Sequence, residues 1–225
     1  PPSCAASWKR PDHRMAGHHD EYGAPSAKDG RTRVGILISG AGSNMAAIIE
    51  AAQTADYPAE IAVVISNNPD APGLGLARAA GIEALAIDHR TFGRARDAHE
   101  AAIDTVLRER GVEVVVLAGY MRILTARLVR AWEGCMLNIH PSLLPRYPGL
   151  DTHARAIAAG DAEAGCTVHL VTEGVDEGPV LGQACVPVKA GDTPETLAAR
   201  VRAAEHDLYP EALAAFVRQR KTAPV

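Results

Sequence analysis

Asn138 and His140 stand two residues apart in the run CMLNIHPSLLP, which extends from Cys135 to Pro145. Residues two apart on a strand project to one face, so an amide and an imidazole sit side by side. An amide N–H stabilises a developing oxyanion, and an imidazole donates or relays a proton near neutrality; together they suit attack on a carbonyl. The competing reading is a polar strand end that turns into solvent at Pro141. No GxSxG accompanies the pair, and Ser142 is separated from His140 only by a proline, a poor arrangement for a nucleophile and its base. If an acyl group moves here, the nucleophile belongs to the substrate.

Three other segments could carry chemistry. SGAGSN, Ser39 to Asn44, joins a strand to a helix. Its glycines permit a tight turn, and amides at a helix start attract phosphate. A dinucleotide fingerprint would need glycine where Met45 stands and an acidic residue where Ser66, Asn67 and Asn68 stand, so a nicotinamide cofactor is disfavoured. TEGVDEGP, Thr172 to Pro179, is an acidic loop suited to a hairpin connection, and its Asp176 gains chemical meaning only by meeting His140. Carboxyl ends of parallel strands share an edge, which would gather the loops after residues 118, 140 and 172. In GYMRIL, Gly119 to Leu124, the residues Met121, Ile123 and Leu124 suit either a core or a slot for a flat ligand, and Arg122 either solvent or a ligand.

The elements that must position these residues follow from periodicity. Strand-like runs RVGILIS, EIAVVISNN, IEALAID and VEVVVLAG alternate with helical stretches NMAAIIEAAQ, GLGLARAAG and RARDAHEAAIDTVLRER. ILTARLVRAW is a further helix that leads into the strand of Asn138 and His140. CTVHLVT and VLGQACVPV follow each other without room for a crossover helix, so they pair antiparallel at one edge. The pattern predicts an α/β fold: a doubly wound, mostly parallel, Rossmann-like sheet with an antiparallel edge strand. Thr193 and Pro194 introduce a terminal helix with Leu197, Val201, Ala204 and Leu208 on one face, and Tyr209-Pro210 should kink or interrupt it.

At 225 residues, 47% hydrophobic and 22% charged, the chain can bury a sizeable core. Its net charge of -4 and pI near 6.1 give no general pull toward nucleic acid or an anionic membrane. Residues 1–31 mix proline, glycine, histidine and charge as a disordered arm does, and 32–225 read as a single domain. His13, His18 and His19 in that arm could bind a metal, but a solvated tail is the simpler reading. Cys4, Cys135, Cys166 and Cys185 show no metal-site spacing and read as reduced thiols. With no spanning apolar run and no signal-peptide pattern, the expected location is cytoplasmic.

The motifs ILISGAGSN, VVLAGYMRIL, LNIHPSLLPRYPGLDTH, VDEGPVLGQACVPV and RVRAAEHDLYP stand in an order and spacing that resemble the folate-dependent phosphoribosylglycinamide formyltransferase family. The resemblance covers about residues 33 to 215. HPSLLP is shared with transfer-RNA formyltransferases and formyltetrahydrofolate hydrolases, but RYPGLDTH and the short stretch after the last helix resemble the ribonucleotide enzymes. The resemblance implies formyl transfer from 10-formyltetrahydrofolate, a co-substrate, to the amine of glycinamide ribonucleotide, with no metal. It implies a catalytic trio of Asn138, His140 and Asp176. Gly42, Ser43, Asn44, Arg202 and Glu205 would contact the ribonucleotide. Arg96, Met121, Arg122, Ile123, Leu124, Asn138, Thr172, Glu173, Gly174, Val175 and Asp176 would contact the folate. Small-molecule substrates, neither nucleic acid nor membrane, and a monomer or homodimer complete the expectation.

Overall fold

The computed structural model describes residues 30–222; the expected arm, its histidines and Cys4 lie outside them, apart from the arm's last two residues. Strand β1 (Thr32–Ile38) leads through the glycine turn into helix α1 (Ser43–Ala52), and β2 (Ala59–Ser66) into α2 (Pro72–Ala79). A short β3 (Ala84–Ala86) and a 3-10 turn (His89–Phe92) precede α3 (Arg96–Glu109) and β4 (Val114–Leu117). Then come α4 (Ala126–Ala131), β5 (Met136–His140), α5 (Thr152–Ala158), β6 (Glu163–Leu170), β7 (Val180–Pro187) and α6 (Pro194–Thr222). The 3-10 turn and α5 escape the periodicity reading because a single turn or two presents too short an apolar stripe.

All seven strands form one sheet in the order β3-β2-β1-β4-β5-β6-β7. The first five run parallel, and β6 and β7 complete the sheet antiparallel. The edge pairing of β6 with β7 is as expected, and β6 also runs antiparallel to β5. Chain order reverses between β1 and β4, so the loops leaving them diverge and open a crevice at their carboxyl ends.

Residues of β4 are buried on both faces, which explains its unbroken VVVL. Ile36 and Ile38 of β1 join Met45, Ile48, Leu74, Val201 and Tyr209 on one face. Leu37 points the other way, to Ile103, Leu107, Leu128 and Trp132. Thus α1, α2, α5 and α6 cover one face while α3 and α4 cover the other.

Helix α6 begins as its sequence predicts: Thr193 Oγ1 accepts the Thr196 amide at 3.3 Å. The expected interruption at Tyr209-Pro210 does not occur, since the helix continues through Pro210 to Thr222. Proline deprives the His206 carbonyl of its helical donor, a cost of about 3 kcal/mol or more in a helix interior. Packing offsets that cost, because Leu208, Tyr209, Pro210, Leu213 and Val217 are all buried. Tyr57 Oη also donates to the Pro210 carbonyl at 2.8 Å. Among the described residues no helix is long and apolar enough to cross a membrane.

Candidate active site

β5 extends beyond β4: Leu117, the last residue of β4, is level with Asn138, and His140 lies two residues further. His140 is therefore at the crevice while still inside the structure, with 5% of its surface exposed. Its Nδ1 lies 3.2 Å from Asp176 Oδ2, and its Nε2 donates to the Tyr147 carbonyl at 2.9 Å. Both ring nitrogens thus face oxygens able to accept, the arrangement that an imidazolium satisfies.

A second histidine completes the cluster. β6 places His169 directly opposite Asn138, and His169 Nε2 lies 3.2 Å from Asn138 Nδ2 and 3.6 Å from Asp176 Oδ1. With His169 Nδ1 donating to the Leu170 carbonyl at 2.9 Å, Nε2 accepts one Asn138 N–H. The amide keeps its other N–H for a ligand. Asp176 also accepts the Gly149 amide at 2.9 Å. Burial opposes ionisation of Asp176, but the hydrogen bond from the Gly149 amide and the charge of His140, with His169 alongside, outweigh it, leaving the carboxyl below the usual aspartate range.

Asp176 does not arrive along a shared parallel edge. Because β6 is antiparallel, its loop leaves beside the start of β5, where the Val171 amide bonds the Met136 carbonyl at 2.8 Å. The loop then doubles back, with Asp176 in the left-handed region at φ 57°. Gly178 permits the return: a Cβ there would lie 1.7 Å from the Leu170 carbonyl oxygen. The HPSLLP segment is pinned from below by Thr167, whose Oγ1 donates to the Ser142 carbonyl at 2.6 Å and accepts the Leu144 amide at 3.0 Å. Ser142 Oγ donates to the Arg146 carbonyl at 2.6 Å, so that hydroxyl is engaged away from His140.

On the β1 side, Gly42 adopts a left-handed conformation at φ 72° and starts α1, with Ser43 and Asn44 in its first turn. Asn44 Nδ2 donates to Glu205 Oε2 at 2.8 Å, although the two are 161 residues apart. Burial pushes the Glu205 carboxyl above its ordinary range, against the Asn44 hydrogen bond and the charges of His206, Arg202 and His140. Arg202 is exposed, and its charge reaches Glu205 and His153. His153 is itself depressed, by burial first and then by Arg202 and His140.

On the β4 side, Met121 and Ile123 expose 72% and 71% of their surface, as an open slot wall would. Val175 and Leu150, from the other two loops, are exposed large apolar residues as well. Arg96 donates through Nη2 to the Ile123 carbonyl. Arg122 and Leu124 are half-buried; the Arg122 charge bears on His99 and Tyr120, and Leu124 packs against the core on the α3 and α4 face. Thr172 is exposed and Gly174 half-buried, while Glu173 is held by Arg130 Nε at 2.6 Å.

His169, Thr167, Tyr147 and Gly149 escape sequence reasoning. The first two share a face of β6 by alternation, but only the pairing of β6 with β5 puts them under the site. Tyr147 and Gly149 act through backbone atoms, which residue type does not advertise. Among the described residues no group of three His, Cys, Asp or Glu side chains is placed to hold a metal.

The formyl transferase family matches residues 32–213. The phosphoribosylglycinamide formyltransferase of Escherichia coli K12 is 47% identical over 184 residues, covering 80% of this chain and 85% of that one. The trifunctional purine biosynthetic protein adenosine-3 of Bos taurus is 47% identical over 188 residues, 84% of this chain; the match spans only 18% of the bovine protein. The crystal structure of the Brucella melitensis phosphoribosylglycinamide formyltransferase is similar with a TM-score of 0.80 at 54% identity, over 87% of this chain and 98% of the other. A glycinamide ribonucleotide transformylase from Symbiobacterium toebii gives 0.82 at 47% identity, over 86% and 91%.

Proposed function

The chain belongs to the formyl transferase family, and from that premise we propose that it moves the formyl group of 10-formyltetrahydrofolate to the amine of glycinamide ribonucleotide. The products are formylglycinamide ribonucleotide and tetrahydrofolate, a step of purine biosynthesis. One observation carries the reading: Asp176 lies between His140 and His169 while Asn138 keeps an amide N–H beside them.

In this assignment Gly42, Ser43 and Asn44 hold the ribonucleotide phosphate at the start of α1, and Glu205 with Arg202 contacts the rest of that substrate. Residues Met121 to Leu124 and Thr172 to Asp176, with Arg96 behind them, bind the folate. The acceptor amine attacks the formyl carbon, and negative charge gathers on the formyl oxygen. Asn138 donates its spare N–H to that oxygen. His140 transfers its Nε2 hydrogen bond from the Tyr147 carbonyl to the same oxygen, since an anion is the stronger acceptor. A single donor of this kind is worth about 2.7–4 kcal/mol in the transition state. Asp176 stays ionised, orients His140 through its Nδ1 and, through water, carries the amine proton to the departing folate nitrogen. Small polar substrates in the cytoplasm, with a monomer or homodimer, fit this activity.

A spectrophotometric assay with both substrates tests the reading. Tetrahydrofolate formation that requires glycinamide ribonucleotide is the expected result, and formate release without the acceptor would point instead to a hydrolase.

A further inference from the structure

Ser39 opens the glycine segment that faces the acceptor phosphate in the reading above, yet its hydroxyl is committed elsewhere. Ser39 Oγ donates to Asn67 Oδ1 at 2.6 Å and accepts the Met121 amide at 2.8 Å. The Ser39 amide donates to the Gly119 carbonyl at 3.2 Å. Two hydrogen bonds therefore tie the end of β1 to the segment after β4, across the point where strand order reverses. With its proton given to Asn67, the hydroxyl has only a lone pair left, which repels an anion rather than binding it.

Asn67 is a firm anchor. It is buried, and its carbonyl accepts from His89 Nδ1 at 2.8 Å. Met121 and Ile123, by contrast, are among the most exposed large apolar residues described, so their own packing does not hold them in place. The segment is fixed through its backbone: Ser39 grips the Met121 amide from below, and Arg96 grips the Ile123 carbonyl from α3. We propose that Ser39 is a positioning residue of the formyl-donor slot, setting the Met121–Ile123 wall against the end of β1. The identity of the ligand rests on the formyl-transfer reading; the tie itself does not.

Steady-state kinetics with both substrates and hydrogen exchange at the Met121 amide, on Ser39→Ala and Ser39→Thr, test it. Losing one hydrogen bond to the slot wall should raise KM for the formyl donor about tenfold in Ser39→Ala, more than kcat or the acceptor KM changes. Met121 exchange should quicken, and Ser39→Thr, which keeps the hydroxyl, should restore both. A rise in the acceptor KM with the donor KM unchanged would overturn the proposal and return Ser39 to the phosphate. Unaltered Met121 exchange in Ser39→Ala would overturn it too. Were the unmutated protein inactive in formyl transfer, that reading alone would fall, and the exchange comparison would still decide whether Ser39 holds the slot wall.

Discussion

Asp176 has two carboxylate oxygens and three polar neighbours, with one oxygen shared by His140 and Gly149 and the other turned to His169. Replacing it with asparagine tests charge rather than shape, because asparagine tolerates the left-handed backbone found there. Asp176→Asn should lower kcat by at least about a hundredfold, the scale of a lost acid-base group, with little change in ribonucleotide affinity; stopped turnover assays and calorimetry separate the two. The carboxyl also links pH to stability. Its folded value lies below the ordinary aspartate value of about 3.9, so its contribution is present above that pH and is lost as pH falls through the lowered folded value. Denaturant midpoints of the native protein and Asp176→Asn should therefore converge as pH drops below about 4. The pairing of Asn138 with His140 is legible in sequence, since strand alternation alone puts them on one face. His169 is not legible, because its meaning comes from the residue across the ladder.

Among the elements, the loop between β6 and β7 depends on one close approach. A Cβ at Gly178 would collide with the Leu170 backbone, so Gly178→Ala must displace the loop that carries Asp176. Circular dichroism should still show the fold while kcat falls about tenfold or more, as expected when a catalytic group shifts by an ångström. Helix α6 offers a prediction of opposite sign for stability. Glu205 is raised by burial, so its favourable contribution is complete below the ordinary glutamate value of about 4.3 and is lost as pH rises through the folded value. Glu205→Gln, which keeps an acceptor for Asn44, should raise the denaturant midpoint at pH 8, with the gain vanishing below pH 4, while acceptor KM increases. A fall in the pH 8 midpoint would contradict this. The helix itself is readable from its cap and apolar face, but its continuity through Pro210 is not, because tertiary burial there overrides a local penalty.

Across the whole molecule, groups from β1, β4, β5, β6 and α6 meet at one crevice, so a ligand bound there stabilises the fold rather than one segment. Ribonucleotide at about 100 times its Kd should add about 2.7 kcal/mol, or roughly 5–10 °C in thermal midpoint for a domain of this size. Scanning calorimetry should find that gain reduced in Asn44→Ala, which loses the link between α1 and α6. The alternation of apolar runs and turn residues by itself determined the α/β class, the strand order of appearance, the glycine turn and the Asn138-His140 pair, because all are written in local spacing. Tertiary structure decided that β6 runs antiparallel to β5, that the 171–179 loop doubles back, that His169 meets Asn138 and that Ser39 turns toward Met121. Those outcomes depend on which strands become neighbours and on hydrogen bonds between residues up to 82 positions apart, and spacing along a chain carries no record of either.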